Sequence, residues 1–75
     1  MEVHVKLRGV LKSLTPPDEK VEMEEGATVQ DLLTALNVPI ERVYLIMVNN
    51  EHVRDHNRAL AKGDEVLLLP PIAGG

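Results

Sequence analysis

The sequence predicts an α+β fold, a mixed sheet of four to five strands with one main helix. Three observations carry that prediction. Short apolar runs of strand length recur along the 75 residues. One helical period stands between the second and third of them. The connections hold Pro, Gly and paired Asn, the residues that turn a chain. The first and last strands both have good core sides, and the helix can cross one sheet face. That order matches a β-grasp roll, in which the first and last strands lie parallel at the centre. A ferredoxin-like sheet is the competing arrangement. It would need a second helix, and residues 55–62 have little apolar periodicity.

The first strand rests on Val3, Val5 and Leu7, which alternate with Glu2, His4, Lys6 and Arg8. Residues 9–18 form a connection whose Val10, Leu11 and Leu14 are expected to tuck over the core edge, and Thr15-Pro16-Pro17-Asp18 is a turn signal. The second strand places Val21 and Met23 on one side, and Glu25-Gly26-Ala27 closes it. Thr28 is the expected helix N-cap, with acidic Asp31 three residues on. Val29, Leu32, Leu33 and Leu36 then make one apolar helix face. Asn37 suits the left-handed C-terminal position and Pro39 prevents continuation. A helix of about ten residues is too short to stand alone, so it must lie on the sheet.

Val43 to Val48 is an unbroken apolar run and reads as the third strand. One face is expected under the helix, and Tyr44 and Ile46 or their neighbours are expected to be partly exposed on the other. Asn49-Asn50 tolerates the positive φ of a tight turn. A short polar strand follows at 51–54, then an irregular stretch anchored by Leu60, then a turn at Lys62-Gly63-Asp64. Glu65-Val66-Leu67-Leu68-Leu69 is apolar on both faces, which predicts a central strand.

Composition narrows the function. The formal net charge is −4, and the basic residues form no cluster beyond Lys6 and Arg8. Nucleic-acid binding needs an electropositive footprint or stacking aromatics, and Tyr44 is the sole aromatic. No apolar run approaches a membrane span, and the first residues have neither region of a signal peptide. The sequence has no Cys, which removes disulfides, thiolate metal sites and a catalytic thiol. That fits a reducing, cytoplasmic compartment.

Side-chain chemistry offers little else. His52 and His56 stand at i and i+4 with Asp55 between them, but the flanking Asn residues argue against a helix and no third ligand is near. Glu22, Glu24 and Glu25 read as a solvated acidic face. Ser13 has no nucleophile context, and no Gly-rich stretch precedes the helix as a phosphate loop would. The remaining feature is the ending, Pro70-Pro71-Ile72-Ala73-Gly74-Gly75. The prolines cannot continue a strand, and the glycines have no Cβ. Residues 1–69 are therefore expected to form the folded domain and 70–75 an arm. Six extended residues reach roughly 20 Å, enough to enter a second protein's pocket. The Gly75 carboxylate, with a reference pKa of roughly 3.3–3.7, is then the reactive group. It could attack the α-phosphate of ATP in that pocket and become an acyl-adenylate.

The closing stretch Lys62-Gly63-Asp64-Glu65-Val66-Leu67-Leu68-Leu69-Pro70-Pro71-Ile72-Ala73-Gly74-Gly75 resembles the MoaD/ThiS sulfur carriers. Their typical ending is a Gly-Asp-Glu-Val turn and strand, then Phe-Pro-Pro-Val-Ala-Gly-Gly in the MoaD branch. Val48-Asn49-Asn50-Glu51 is similar to the family's Val-Asn-Gly-Glu-type segment. The resemblance implies a ubiquitin-like protein that is not catalytic alone and needs no cofactor of its own. An ATP-dependent activating adenylyltransferase would adenylate Gly75, and sulfur transfer would make a thiocarboxylate, with Gly74 as the thin approach. In the MoaD branch, which Pro70-Pro71 favours, the arm enters the large, MoaE-like subunit of molybdopterin synthase. The acceptor there is the pterin precursor of the molybdenum or tungsten cofactor. In the ThiS branch the partner is a thiazole synthase of thiamine biosynthesis. A third possibility is a modifier joined through Gly75 to target lysines. Leu69, Pro70, Pro71, Ile72 and Ala73 are expected to dock the arm. Leu69 stands where the MoaD branch usually has Phe. Arg8 and His52 align where that branch tends to expose apolar residues, so both are expected at the partner-docking surface, with altered chemistry.

Overall fold

The computed structural model describes residues 1–71. Its strands are β1 (Glu2–Leu7), β2 (Lys20–Glu22), β3 (Leu45–Val48), β4 (Glu51–His52) and β5 (Glu65–Leu69), with one α-helix, α1 (Val29–Ala35). They form a single mixed sheet in the order β2-β1-β5-β3-β4. β1 and β5 lie parallel at its centre, with Val5 opposite Val66 and Leu7 opposite Leu68. The other neighbours are antiparallel. This is the β-grasp arrangement.

The sheet has one covered face and one open face because strand side chains alternate. Val3, Val5 and Leu7, Ile46 and Val48, and Val66 and Leu68 point inward and are buried. Val29, Leu32, Leu33 and Leu36 of the helical segment join the same core, with Val38, Val53 and Leu60. The core is wholly aliphatic apart from Met23, as expected of a chain without Phe or Trp.

Thr28 starts α1 with a capping box. Its hydroxyl accepts from the Asp31 N–H at 3.2 Å, and the Asp31 carboxylate accepts from the Thr28 N–H at 2.9 Å. Asn37 ends the helical segment at φ +59°. Asn49 and Asn50 both have positive φ, 53° and 68°, and close the two-residue β3–β4 hairpin whose twist suits the sheet.

One expectation needs correction and another is narrowed. Residues Gly9–Leu14 are a 3-10 helix, of which only Leu11 enters the core. Val10, one residue off the Leu11 face, is 74% exposed, and Leu14, one turn on at the end of the 3-10 helix, is 37% exposed. In β3 Ile46 and Val48 point inward, and it is the neighbours of Ile46, Leu45 and Met47, that are half-exposed. An unbroken apolar run has no polar residue to reveal its parity, and the register with β5 decides it. Tyr44 precedes the strand and is exposed as expected.

Candidate functional site

The site is built where β5 ends. The Leu68 carbonyl accepts from the Arg8 N–H at 3.1 Å, and the Leu69 carbonyl accepts from the Tyr44 N–H at 2.8 Å. The two flanking segments thus hold the last residues of the central strand from both sides. Pro70 has no N–H, so the ladder stops there. Pro70 is half-buried and lies against Gly9, while Pro71 is exposed. Ile72, Ala73, Gly74 and Gly75 lie outside the described residues.

Beside this root the open sheet face presents Leu45, Met47, Leu67 and Leu69, all half-exposed. Their register forms cross-strand rows. Lys6 is opposite Leu67, Leu67 opposite Met47, and Met47 opposite His52. Leu69 is opposite Leu45, and Arg8 follows the Leu7–Leu68 pair on β1. Leu69, Arg8 and His52 therefore belong to one surface, with an apolar centre and cationic or polar flanks. Arg8 and His52 are both exposed. A shallow groove of about 570 Å³ runs along the β1 side, lined in part by His4, Lys6, Arg8, Met47 and Leu67.

Asp64, at the opposite end of β5, gives no sign of its role in the sequence. It is buried, and its two carboxylate oxygens accept from Asn49 Nδ2 at 2.9 Å and from the Ala61 N–H at 2.8 Å. The Asn49 side-chain oxygen in turn accepts from the Glu65 N–H at 3.0 Å. This clasp joins the β3–β4 turn to the start of β5. The polar pair stands 15 residues apart, so no local pattern connects it.

The alternatives do not assemble. His52 lies on β4 and His56 in the irregular stretch beyond, and among the described residues no three His, Asp or Glu are grouped to hold a metal. Glu22, Glu24 and Glu25 are exposed, and Glu22 pairs with the Met1 ammonium at 2.8 Å. Among the described residues no helix is long and apolar enough to cross a membrane.

A mixed five-stranded sheet with β1 and β5 parallel at its centre and one main helix is the β-grasp of the ubiquitin-like class, and known proteins agree. The chain belongs to the ThiS family, whose model matches residues 5–75. It is 31% identical over 65 residues to a molybdopterin synthase sulfur carrier subunit of Chlamydomonas reinhardtii, spanning 77% of this chain and 78% of that one. Small archaeal modifier protein 1 of Haloferax volcanii superposes with a TM-score of 0.74 at 26% identity, over 95% of this chain and 98% of that one. Subunits 1 and 2 of molybdopterin-converting factor from Helicobacter pylori have been solved as a complex. A chain of that complex matches at a TM-score of 0.62 and 25% identity, over all of both chains.

Proposed function

We propose that this chain is a sulfur carrier, acting through the carboxylate of Gly75. The observation that carries the reading is that the central strand β5 ends at Leu69 beside an open apolar face, with Pro70-Pro71-Ile72-Ala73-Gly74-Gly75 following it in the sequence. The folded unit, residues 1–69, holds and presents; the arm, residues 70–75, reaches. An activating adenylyltransferase binds the open face and receives the arm. A Gly75 carboxylate oxygen attacks the α-phosphate of ATP, and pyrophosphate leaves. A sulfide-level nucleophile then attacks the acyl carbon and AMP leaves, giving a thiocarboxylate. Gly74 keeps the approach thin, and Leu69, Pro70, Pro71, Ile72 and Ala73 seat the arm in the partner's channel. Arg8 and His52 flank the docking face.

The acceptor we propose is the pterin precursor of the molybdenum or tungsten cofactor, reached through a MoaE-like synthase subunit. The relatives from Chlamydomonas and Helicobacter favour it over the thiazole of thiamine. The chain supplies no catalysis alone, and the cysteine-free composition suits the cytoplasm. With the cognate activating enzyme, the intact chain should support exchange of labelled pyrophosphate into ATP. A variant with alanine appended after Gly75 should support none, and undiminished exchange with it would remove the carboxylate from the reaction.

A second reading is favoured by the likeness to small archaeal modifier protein 1. The same adenylate could be displaced by a target lysine, forming an isopeptide bond. Conjugates in cells that vanish when Gly75 is deleted would establish it.

A further inference from the structure

We propose that Gly9 is a positioning residue for the arm, a seat that aims the chain as it leaves β5; this rests on the arm reading above. Gly9 has φ +57°, a conformation that side chains other than Asn and Asp rarely adopt. A Cβ placed on it would meet Pro70 Cγ at 2.9 Å and Pro70 Cδ at 3.6 Å. The first distance is too short for two carbons, and a ring fused to the backbone cannot swing aside as a flexible side-chain end could. Glycine is therefore required twice here, for the turn and for the contact.

The seat is fixed from beneath. Arg8, its neighbour, donates to the Leu68 carbonyl and accepts from the Leu11 N–H at 3.1 Å. Leu11 is 1% exposed and anchors the 3-10 turn in the core. Gly9 is thus held between a ladder hydrogen bond and a core anchor. The Pro70 ring rests on this platform with its own φ locked, and the Tyr44 N–H holds Leu69 from the other side. Three constraints converge on Leu68, Leu69 and Pro70, where the central strand ends. Pro70 is the residue at which the chain leaves β5, so its orientation sets the direction in which the following segment starts. Reactions that depend on placement lose on the order of a hundredfold for displacements near 1 Å.

The test measures pyrophosphate exchange with the full chain and its activating enzyme, separating kcat from KM. Gly9→Asn introduces a residue that tolerates positive φ, so its main change is the Cβ against Pro70. It should lower kcat by on the order of ten- to a hundredfold and leave KM unchanged, because the docking face is untouched. Pro70→Ala should lower kcat a few-fold by loosening the root. The double variant should match Pro70→Ala alone, since the introduced asparagine side chain then meets no ring. Penalties that simply multiply would overturn the proposal, as would an unchanged kcat for Gly9→Asn. If thermal melting finds Gly9→Asn unfolded, Pro70→Ala decides alone, and an undiminished kcat sinks the seat. An intact chain that supports no exchange would count against the carrier reading and not against the seat. In that case, amide shifts of residues 72–75 moving in Gly9→Asn and returning in the double variant would still support the contact. Shifts that stay put would overturn it.

Discussion

At the residue scale, single polar groups fix the joints of a small aliphatic body. Thr28 and Asp31 satisfy two helix N-terminal donors reciprocally. Thr28→Ala should cost about 1 kcal/mol, read from a urea unfolding midpoint with unchanged slope. Asp64 has a larger role because it is buried with two donors aimed at it. Asp64→Ala strands Asn49 Nδ2 and the Ala61 N–H, and should cost about 1–3 kcal/mol by the same measurement. A cost no larger than that of a neighbouring exposed residue would contradict the clasp. The contrast between the two shows what a sequence carries. Thr28 and Asp31 are three apart, a spacing with a known geometry, so the cap is readable. Asn49 and Asp64 meet only after the sheet has formed, so their pairing is not. The Gly9–Pro70 contact is hidden for the same reason, with most of the chain between its members.

At the scale of elements, the fold is readable because its strands and helix carry different periods. Val3, Val5 and Leu7 declare a face by alternation, and Val29, Leu32, Leu33 and Leu36 by helical spacing. β3 has no such marker, which is why the sequence leaves Ile46 or its neighbours as the outward residues and the structure puts Met47 there. The exposure of Met47 places an apolar residue between Leu67 and His52 on the open face. That row is where a partner should rest. Leu67→Asp should change stability by less than about 1 kcal/mol, because the side chain already meets solvent. It should weaken binding to the activating enzyme by at least about tenfold, or about 1.4 kcal/mol, measured by titration calorimetry. Equal affinity for both forms would move the docking surface elsewhere.

At the scale of the whole molecule, 75 residues leave little margin. Total stability for a domain this size is about 4–11 kcal/mol. Leu33 is fully buried, and Leu33→Ala should remove about 2–5 kcal/mol, enough to unfold a large part of the population at elevated temperature. Circular dichroism melting would report it. So small a body has little room for an enclosed active site, and its described residues hold no grouped metal-ligating side chains. What it does have is a central strand whose last residues, Leu68 and Leu69, are pinned from both sides. The central claim is that the arm's last carboxylate carries the sulfur. It is tested most directly by intact-mass spectrometry after incubation with the activating enzyme, ATP and a sulfur donor. One oxygen-to-sulfur exchange localised to Gly75 is expected, absent without ATP and absent when Gly75 is deleted. The same mass change persisting in the Gly75-deleted chain would contradict it.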